Sequence, residues 1–205
     1  KVADSLAYDL LAKASAVIAV SKATYEDLKS RVGIPSPPLV YLPNWTVERK
    51  ETDGMNKRKV AGEIVFLGRF EKQKQPELVL EFAHLAKKEG IPVHISMYGS
   101  GSLQEKMEKY VMKNKLKSFI TINPPSHSAL QVLESASFMI VTSKYEGLSF
   151  AMLEAMSVGT PIMALEAPGV SELIKDGKTG ILRSDIQTLF DEYKKVLKVK
   201  NLAKY

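Results

Sequence analysis

The sequence predicts an α/β protein: a doubly wound parallel sheet preceded by the tail of a second α/β unit. Three observations carry this expectation. Short apolar runs alternate with helical stretches from one end of the chain to the other. Most runs are apolar throughout, the pattern of parallel strands covered on both faces. The alternation is interrupted once, between 46 and 62, by a stretch dominated by charged and polar residues such as Glu48-Arg49-Lys50-Glu51 and Asn56-Lys57-Arg58-Lys59.

Taken in order, residues 5–15 read as a helix with Leu6, Leu10 and Leu11 on one face. Ala16 to Val20 is a short strand, and Ser21 is placed to cap a helix from Lys22 to about Val32, which Gly33 ends. Pro35, Pro37 and Pro38 break the chain before a strand at Leu39 to Leu42, closed by Pro43-Asn44. After the polar stretch the strands are Ile64–Leu67, Val93–Met97, Phe119–Ile122, Phe138–Val141, Ile162–Ala164 and Gly180–Leu182. The helices between and after them are Pro76–Lys88, Leu103–Lys113, His127–Ser135, Phe150–Val158, Val170–Lys175 and Ile186–Val199. The expected division is therefore 1–45 as an incomplete unit, 46–62 as linker and 63–205 as one complete doubly wound domain.

Composition excludes several classes of function. The chain has no cysteine, so disulfides, thiolate metal sites and a cysteine nucleophile are out. His84, His94 and His127 lack metal-ligand spacing. No apolar run approaches the ~18 residues of a membrane span. The early acid at Asp4 argues against a signal peptide, and the absent initiator Met suggests a start inside a longer protein. The net charge of +6 comes mostly from lysines on helices, which read first as solvated faces. Those lysines leave room for an anionic small molecule or a peripheral contact with an anionic membrane. They lack interleaved aromatics, so nucleic acid is not an expected partner.

In an open parallel sheet, ligands bind beyond the carboxyl ends of the strands. The loop after the first main-domain strand is Gly68-Arg69-Phe70-Glu71-Lys72-Gln73-Lys74, a tight turn followed by cations suited to phosphate. The next is Gly99-Ser100-Gly101-Ser102, where backbone can approach a ligand. After the fourth strand comes Glu146-Gly147-Leu148-Ser149, leading into a helix that carries Glu154. Ser149 is placed to cap that helix, whose free N–H groups and dipole favour an anion. Glu154, in the second turn, leans back toward the helix start, where a ribose diol suits a carboxylate. Glu146 sits in the loop, able to grip other hydroxyls.

These motifs, in this order, resemble the C-terminal domain of family 4 glycosyltransferases. Gly159-Thr160-Pro161, Gly169, Glu172-Leu173-Ile174, Asp176-Gly177 and Thr179-Gly180 continue the likeness, and Ala19-Val20-Ser21 and Leu42-Pro43-Asn44 resemble the end of that family's first domain. The resemblance implies the C-terminal half of a GT-B fold, with a Rossmann-like sheet. It implies a cytoplasmic enzyme, at most peripheral at the inner face of the membrane, making polysaccharide or glycolipid. That enzyme would move a sugar, with retention and without a metal or other cofactor, from a nucleoside-diphosphate sugar to a glycan or lipid-linked acceptor. Arg69, Lys74 and Glu146 take catalytic roles. The donor-binding positions are Gly68, Gly99, Gly101, Gly147, Leu148, Ser149 and Glu154. The acceptor domain would be present only as its tail, so the chain alone is expected to be inactive. Alternatives on the same fold are a nucleotide-sugar epimerase, a phosphorylase or a non-catalytic partner subunit. Gln75 departs from the glycine common after the lysine, Ser149 stands where a second glycine is common, and Pro124-Pro125 occupies the base-side loop.

Overall fold

A computed structural model of the chain describes residues 11, 13–31, 37–46 and 62–198. Most of the expected first helix, Gly33, Pro35, nearly all of the 46–62 linker and the residues after 198 lie outside these.

The main body is a six-stranded parallel sheet made of β3 (Glu63–Leu67), β4 (His94–Tyr98), β5 (Ile120–Asn123), β6 (Phe138–Val141), β7 (Ile162–Leu165) and β8 (Gly180–Arg183). The spatial order is β5-β4-β3-β6-β7-β8, so strand order reverses between β3 and β6. The expected doubly wound sheet is present, and its switch point lies between those two strands.

Alternate residues of the central strands feed two cores. Ile64 and Phe66 of β3 and Phe138 and Ile140 of β6 point to one face. There they meet α2 (Pro76–Glu89), α3 (Gln104–Lys113) and α6 (Ile186–Lys198) through Phe82, Met107, Phe190 and Tyr193. Val65, Met139 and Val141 point to the other face, against α4 (Ala129–Ser135) and α5 (Phe150–Ser157) through Leu133, Met152 and Ala155. Full burial of such side chains stabilises by roughly 1.5–3 kcal/mol each.

Two expectations are corrected. Cover on both faces holds for β6 and β7, every residue of which is buried, but not for β4 and β5. His94, Ser96 and Tyr98 on the second face of β4 are only half-buried, and Thr121 beside them is exposed. A polar network holds that open face: Glu63 accepts from Ser96 at 2.5 Å and pairs with His94 at 2.9 Å, and His94 meets Thr121 at 2.9 Å. The second correction is residues 170–175, which form turns as far as Leu173 and then irregular chain, not a helix. The chain turns immediately after Gly169 (φ +78°), and the Asp176–Gly180 bridge draws the next residues to the sheet.

Residues 16–31 and 37–46 form a small appendage of β1 (Val17–Ala19), α1 (Lys22–Arg31) and β2 (Leu39–Tyr41), with β1 and β2 parallel. Ser21 caps α1 as expected, accepting from the Thr24 N–H at 3.1 Å. A distant acid completes that cap. Both oxygens of Glu172 accept the backbone N–H groups of Lys22 and Ala23, at 2.8 and 2.7 Å, where the helix end favours a negative charge.

Candidate functional site

The loops after β3 and β6 leave adjacent strands at the switch point, so topology alone sets them side by side. Their side chains then bind them together. Lys144 N–H donates to the Gln73 carbonyl at 2.8 Å, and the Gln73 side-chain amide donates to the Tyr145 carbonyl at 2.9 Å. The buried Thr142 hydroxyl donates to the Lys74 carbonyl at 2.8 Å. Arg69 reaches the Gln73 side-chain oxygen at 3.2 Å.

The loop after β4 joins the same wall. Gly68 N–H donates to the Tyr98 carbonyl and Phe70 N–H to the Ser100 carbonyl. Gly99 is required by crowding, since a Cβ there would overlap the Gly68 carbonyl. Glu71 grips Ser102 through its N–H and hydroxyl, at 2.8 and 2.7 Å. Those two bonds, the backbone one foremost, hold the Glu71 carboxyl below its ordinary range against a small desolvation effect, and the Arg69 charge adds to them.

Together the three loops, Pro125 and Ser126 of the loop after β5, Ala129 at the start of α4 and the start of α5 line an open cleft of about 500 Å³. Of the residues singled out in the sequence, Gly68, Arg69, Lys74, Gly99, Glu146, Leu148, Ser149 and Glu154 all line it. Gly101 and Gly147 lie off its wall. Gly101 sits where a Cβ would come 2.5 Å from the Phe70 carbonyl, and a Cβ at Gly147 would come 3.0 Å from Val20 Cγ2 of the appendage. Ser149 occupies the N-cap position of α5, but its hydroxyl makes no capping bond. The first-turn positions Phe150 and Ala151 line the cleft with it, so the helix start is turned to whatever binds there.

Lys74 and Glu146, read in the sequence as contacts to different parts of a ligand, are paired with each other. Lys74 Nζ meets Glu146 Oε1 at 2.5 Å, the side chains being 16% and 8% exposed. Ser143 donates to the same oxygen at 2.6 Å. From behind, Glu146 N–H donates to the Pro168 carbonyl at 2.9 Å, and Gly169 packs so closely that a Cβ would overlap the Glu146 carbonyl. The appendage holds the loop's outer side through Asn44, whose amide donates to the Leu148 carbonyl at 2.7 Å.

Sequence reasoning missed Gln73, Thr142, Ser143, Asn44 and Glu172 as parts of this assembly. Each acts across 68 to 150 positions, or through a buried hydroxyl, and has no local signature. Among the described residues no group of three or more His, Asp or Glu side chains is placed to hold a metal ion. No described helix is long and apolar enough to cross a membrane.

A cleft at a sheet switch point, with two cations, two carboxylates and a helix start, has the chemistry suited to an anionic, hydroxyl-rich ligand. The comparisons give that chemistry a family. Residues 48–205 match the model for glycosyl transferases group 1, and the chain belongs to that family. It is 30% identical over 125 residues to a poly(ribitol-phosphate) alpha-N-acetylglucosaminyltransferase of Staphylococcus aureus, covering 60% of this chain and 25% of that protein. It is 25% identical over 191 residues to an alpha-D-kanosaminyltransferase of Streptomyces kanamyceticus, covering 86% of this chain and 49% of the relative. The chain thus spans between a quarter and a half of the length of these curated relatives. Among solved structures, a mutant of S. aureus TarM in complex with fondaparinux, alpha-GlcNAc-glycerol and UDP matches all of this chain and 41% of its own, at TM-score 0.87 and 22% identity. Anabaena HepE in complex with UDP and glucose matches 98% of this chain and 58% of its own, at TM-score 0.79 and 16% identity. These likenesses establish the fold as the Rossmann-like sheet of GT-B glycosyltransferases.

Proposed function

We propose that this chain is the donor-binding, C-terminal domain of a retaining family 4 glycosyltransferase. Its donor is a nucleoside-diphosphate sugar and its acceptor a glycan or lipid-linked glycan. The observation that carries the reading is the meeting of Arg69, Lys74, Glu146, Glu154 and the start of α5 on one cleft. UDP in the TarM and HepE complexes is consistent with it.

In this reading the diphosphate lies along the start of α5. Its charge rises as the bond from sugar C1 breaks and the electron pair passes to the diphosphate oxygen. Arg69 and Lys74 stabilise that developing charge from a preorganised position, with no metal called for. Glu154 accepts hydrogen bonds from the ribose diol, and Glu146 accepts one from a hydroxyl of the transferred sugar. Lys74 is held by Glu146, so the cation is already oriented when the ligand arrives and costs little to place.

The rest of the acceptor domain would continue from the appendage. Ile18, Val40, Leu42 and Trp45 are exposed there, and a two-stranded sheet this small does not bury its own apolar face. The exposed Lys106, Lys109 and Lys113 of α3, beside exposed Tyr110 and Met112, suit a peripheral contact with an anionic bilayer. Absence of binding to phosphatidylglycerol vesicles at low salt would remove that contact from the proposal.

Calorimetry of the folded protein with UDP, GDP and ADP tests the central reading. Binding of at least one, weakened by Arg69→Ala and by Glu154→Ala, is the expected result. No binding of any of the three overturns it.

A further inference from the structure

The donor reading leaves a buried polar side chain beside the cleft without a task. Ser143 is only 3% exposed, so it does not meet a ligand itself. Its hydroxyl donates to Glu146 Oε1, the oxygen already held by Lys74. Among the described residues nothing holds Oε2.

Two donors on one oxygen fix the rotation of a carboxylate and leave the acceptor capacity of the other oxygen unspent. The support beneath Ser143 is itself rigid. Thr142 before it is tied to the Lys74 and Gln75 carbonyls at 2.8 and 3.1 Å, and Lys144 after it donates its N–H to Gln73. Ser143 therefore stands at a set position between β6 and the Glu146 loop. A hydroxyl that only satisfied its own burial could use any nearby carbonyl. This one is spent on the charged oxygen of the one loop acid that lines the cleft.

We propose that Ser143 is a positioning residue for sugar recognition. It turns Glu146 so that Oε2 accepts from a hydroxyl of the transferred sugar. By sharing Oε1 it also leaves the remaining protons of Lys74 to the diphosphate. The inference rests on the donor-site reading above and deepens it to a part of the ligand: Ser143 acts on the sugar and not on the nucleotide.

The test separates those two parts in the whole protein that carries this chain. Wild type, Ser143→Ala, Ser143→Cys, Glu146→Gln and the Ser143→Ala/Glu146→Gln double variant are titrated by calorimetry. The ligands are UDP, GDP and ADP, and then UDP-glucose, UDP-N-acetylglucosamine, GDP-mannose and ADP-glucose. Ser143→Ala weakens the preferred sugar nucleotide about tenfold, the scale of one hydrogen bond to a charged group, and leaves the bare diphosphate within about twofold. The double variant is no weaker than Glu146→Gln alone, because the serine acts only through that carboxylate. Ser143→Cys, slightly larger and a poorer donor, falls between wild type and Ser143→Ala and carries the test if Ser143→Ala does not fold. Equal weakening of both ligand types, additive losses in the double variant, or unchanged affinity in the serine variants while Glu146→Gln is impaired overturns this inference alone. Wild-type protein that binds none of the probes overturns the donor reading and this inference with it.

Discussion

One face of the sheet and its carboxyl edge are held by different forces. On that face, α2 and α6 close on the sheet with aromatic rings. Phe82 meets Phe190 edge-on at 5.2 Å and Tyr193 at 5.5 Å, and all three are buried. At the carboxyl edge the loops are held by hydrogen bonds and, among the described residues, one ion pair, around an open cleft whose charged side chains stand among apolar ones such as Leu67, Leu148 and Phe150. The body uses close packing, which is non-directional and sums over many contacts. The cleft wall uses directional bonds, which set where a charge stands but add little net stability each. Fold and recognition are therefore separable in this chain, and substitutions can be chosen to touch one without the other.

The largest expected effect is in the body. Phe82→Ala removes a fully buried ring from between two others and leaves a cavity, costing about 3–5 kcal/mol. Urea unfolding should show that loss. The protein that remains folded should bind its diphosphate with unchanged affinity. A similar loss of affinity in the folded fraction would break the separation.

The matching change in the cleft is Arg69→Ala. Arg69 is exposed, and its one side-chain bond among the described residues, to Gln73, is long. Stability should stay within about 0.5 kcal/mol, as for surface positions generally. Diphosphate binding should fall by about 1.5–3 kcal/mol, the scale of hydrogen bonds to a charged group. Paired unfolding and calorimetry on the one variant read both values. An Arg69→Ala protein that unfolds early while binding normally would reverse the roles given to the two regions.

The same division governs what the sequence disclosed. Body elements are set by local pattern. Apolar runs such as Phe138-Met139-Ile140-Val141 identified the strands, and their alternate residues do go to two cores. Boundaries moved by one or two residues because strand ends depend on neighbours. The strand expected at Val93–Met97, for example, pairs instead over His94–Tyr98 with β3. The uncovered face of β4 was visible in principle, since His94, Ser96 and Tyr98 alternate with Ile95 and Met97. At the cleft, the strand-end rule located the charged residues, but not their partners. Lys74 and Glu146 lie 72 positions apart, and nothing local says that they touch. The short helix expected at 170–175 failed for a similar reason. Its course is dictated by Gly169 packing on the Glu146 loop, a contact written in no local pattern.

A smaller effect tests a flaw in the body. The Tyr193 hydroxyl is buried and has no hydrogen-bond partner among the described residues. Burial pushes its pKa up to about 12. Tyr193→Phe keeps the ring and removes the orphan, so it should raise stability by about 1 kcal/mol near neutral pH. The gain should widen in base. The folded phenol keeps its proton up to about pH 12, whereas the unfolded one loses it from the ordinary value of 10.0. Wild type is therefore expected to lose stability relative to Tyr193→Phe as pH rises between those values, by at most about 1.4 kcal/mol per pH unit. Chemical unfolding of both proteins at neutral pH and at about pH 11 checks the sign; a gap that narrows in base would contradict the orphaned hydroxyl.

The smallest effect lies on the border between the two regions. Gln75 joins the cation loop to α2 and holds a left-handed conformation, φ 46° and ψ 51°. A side chain pays a steric cost there that glycine does not, about 1 kcal/mol or somewhat more. The conformation explains why glycine is common after the lysine in the family that the motifs resemble. Here the Gln75 carbonyl receives Thr142 Oγ1 and the Leu78 N–H, so the two flanking elements fix the strained backbone. Gln75→Gly relieves the strain but gives the unfolded chain more freedom to lose, so the net gain should be under about 1 kcal/mol. Because the carbonyl bonds do not involve the side chain, the loop should keep its course and diphosphate affinity should not change. A thermal shift upward with unaltered calorimetry would place Gln75 with the body. Weakened binding at higher stability would instead mean that the strain itself helps to aim Lys74.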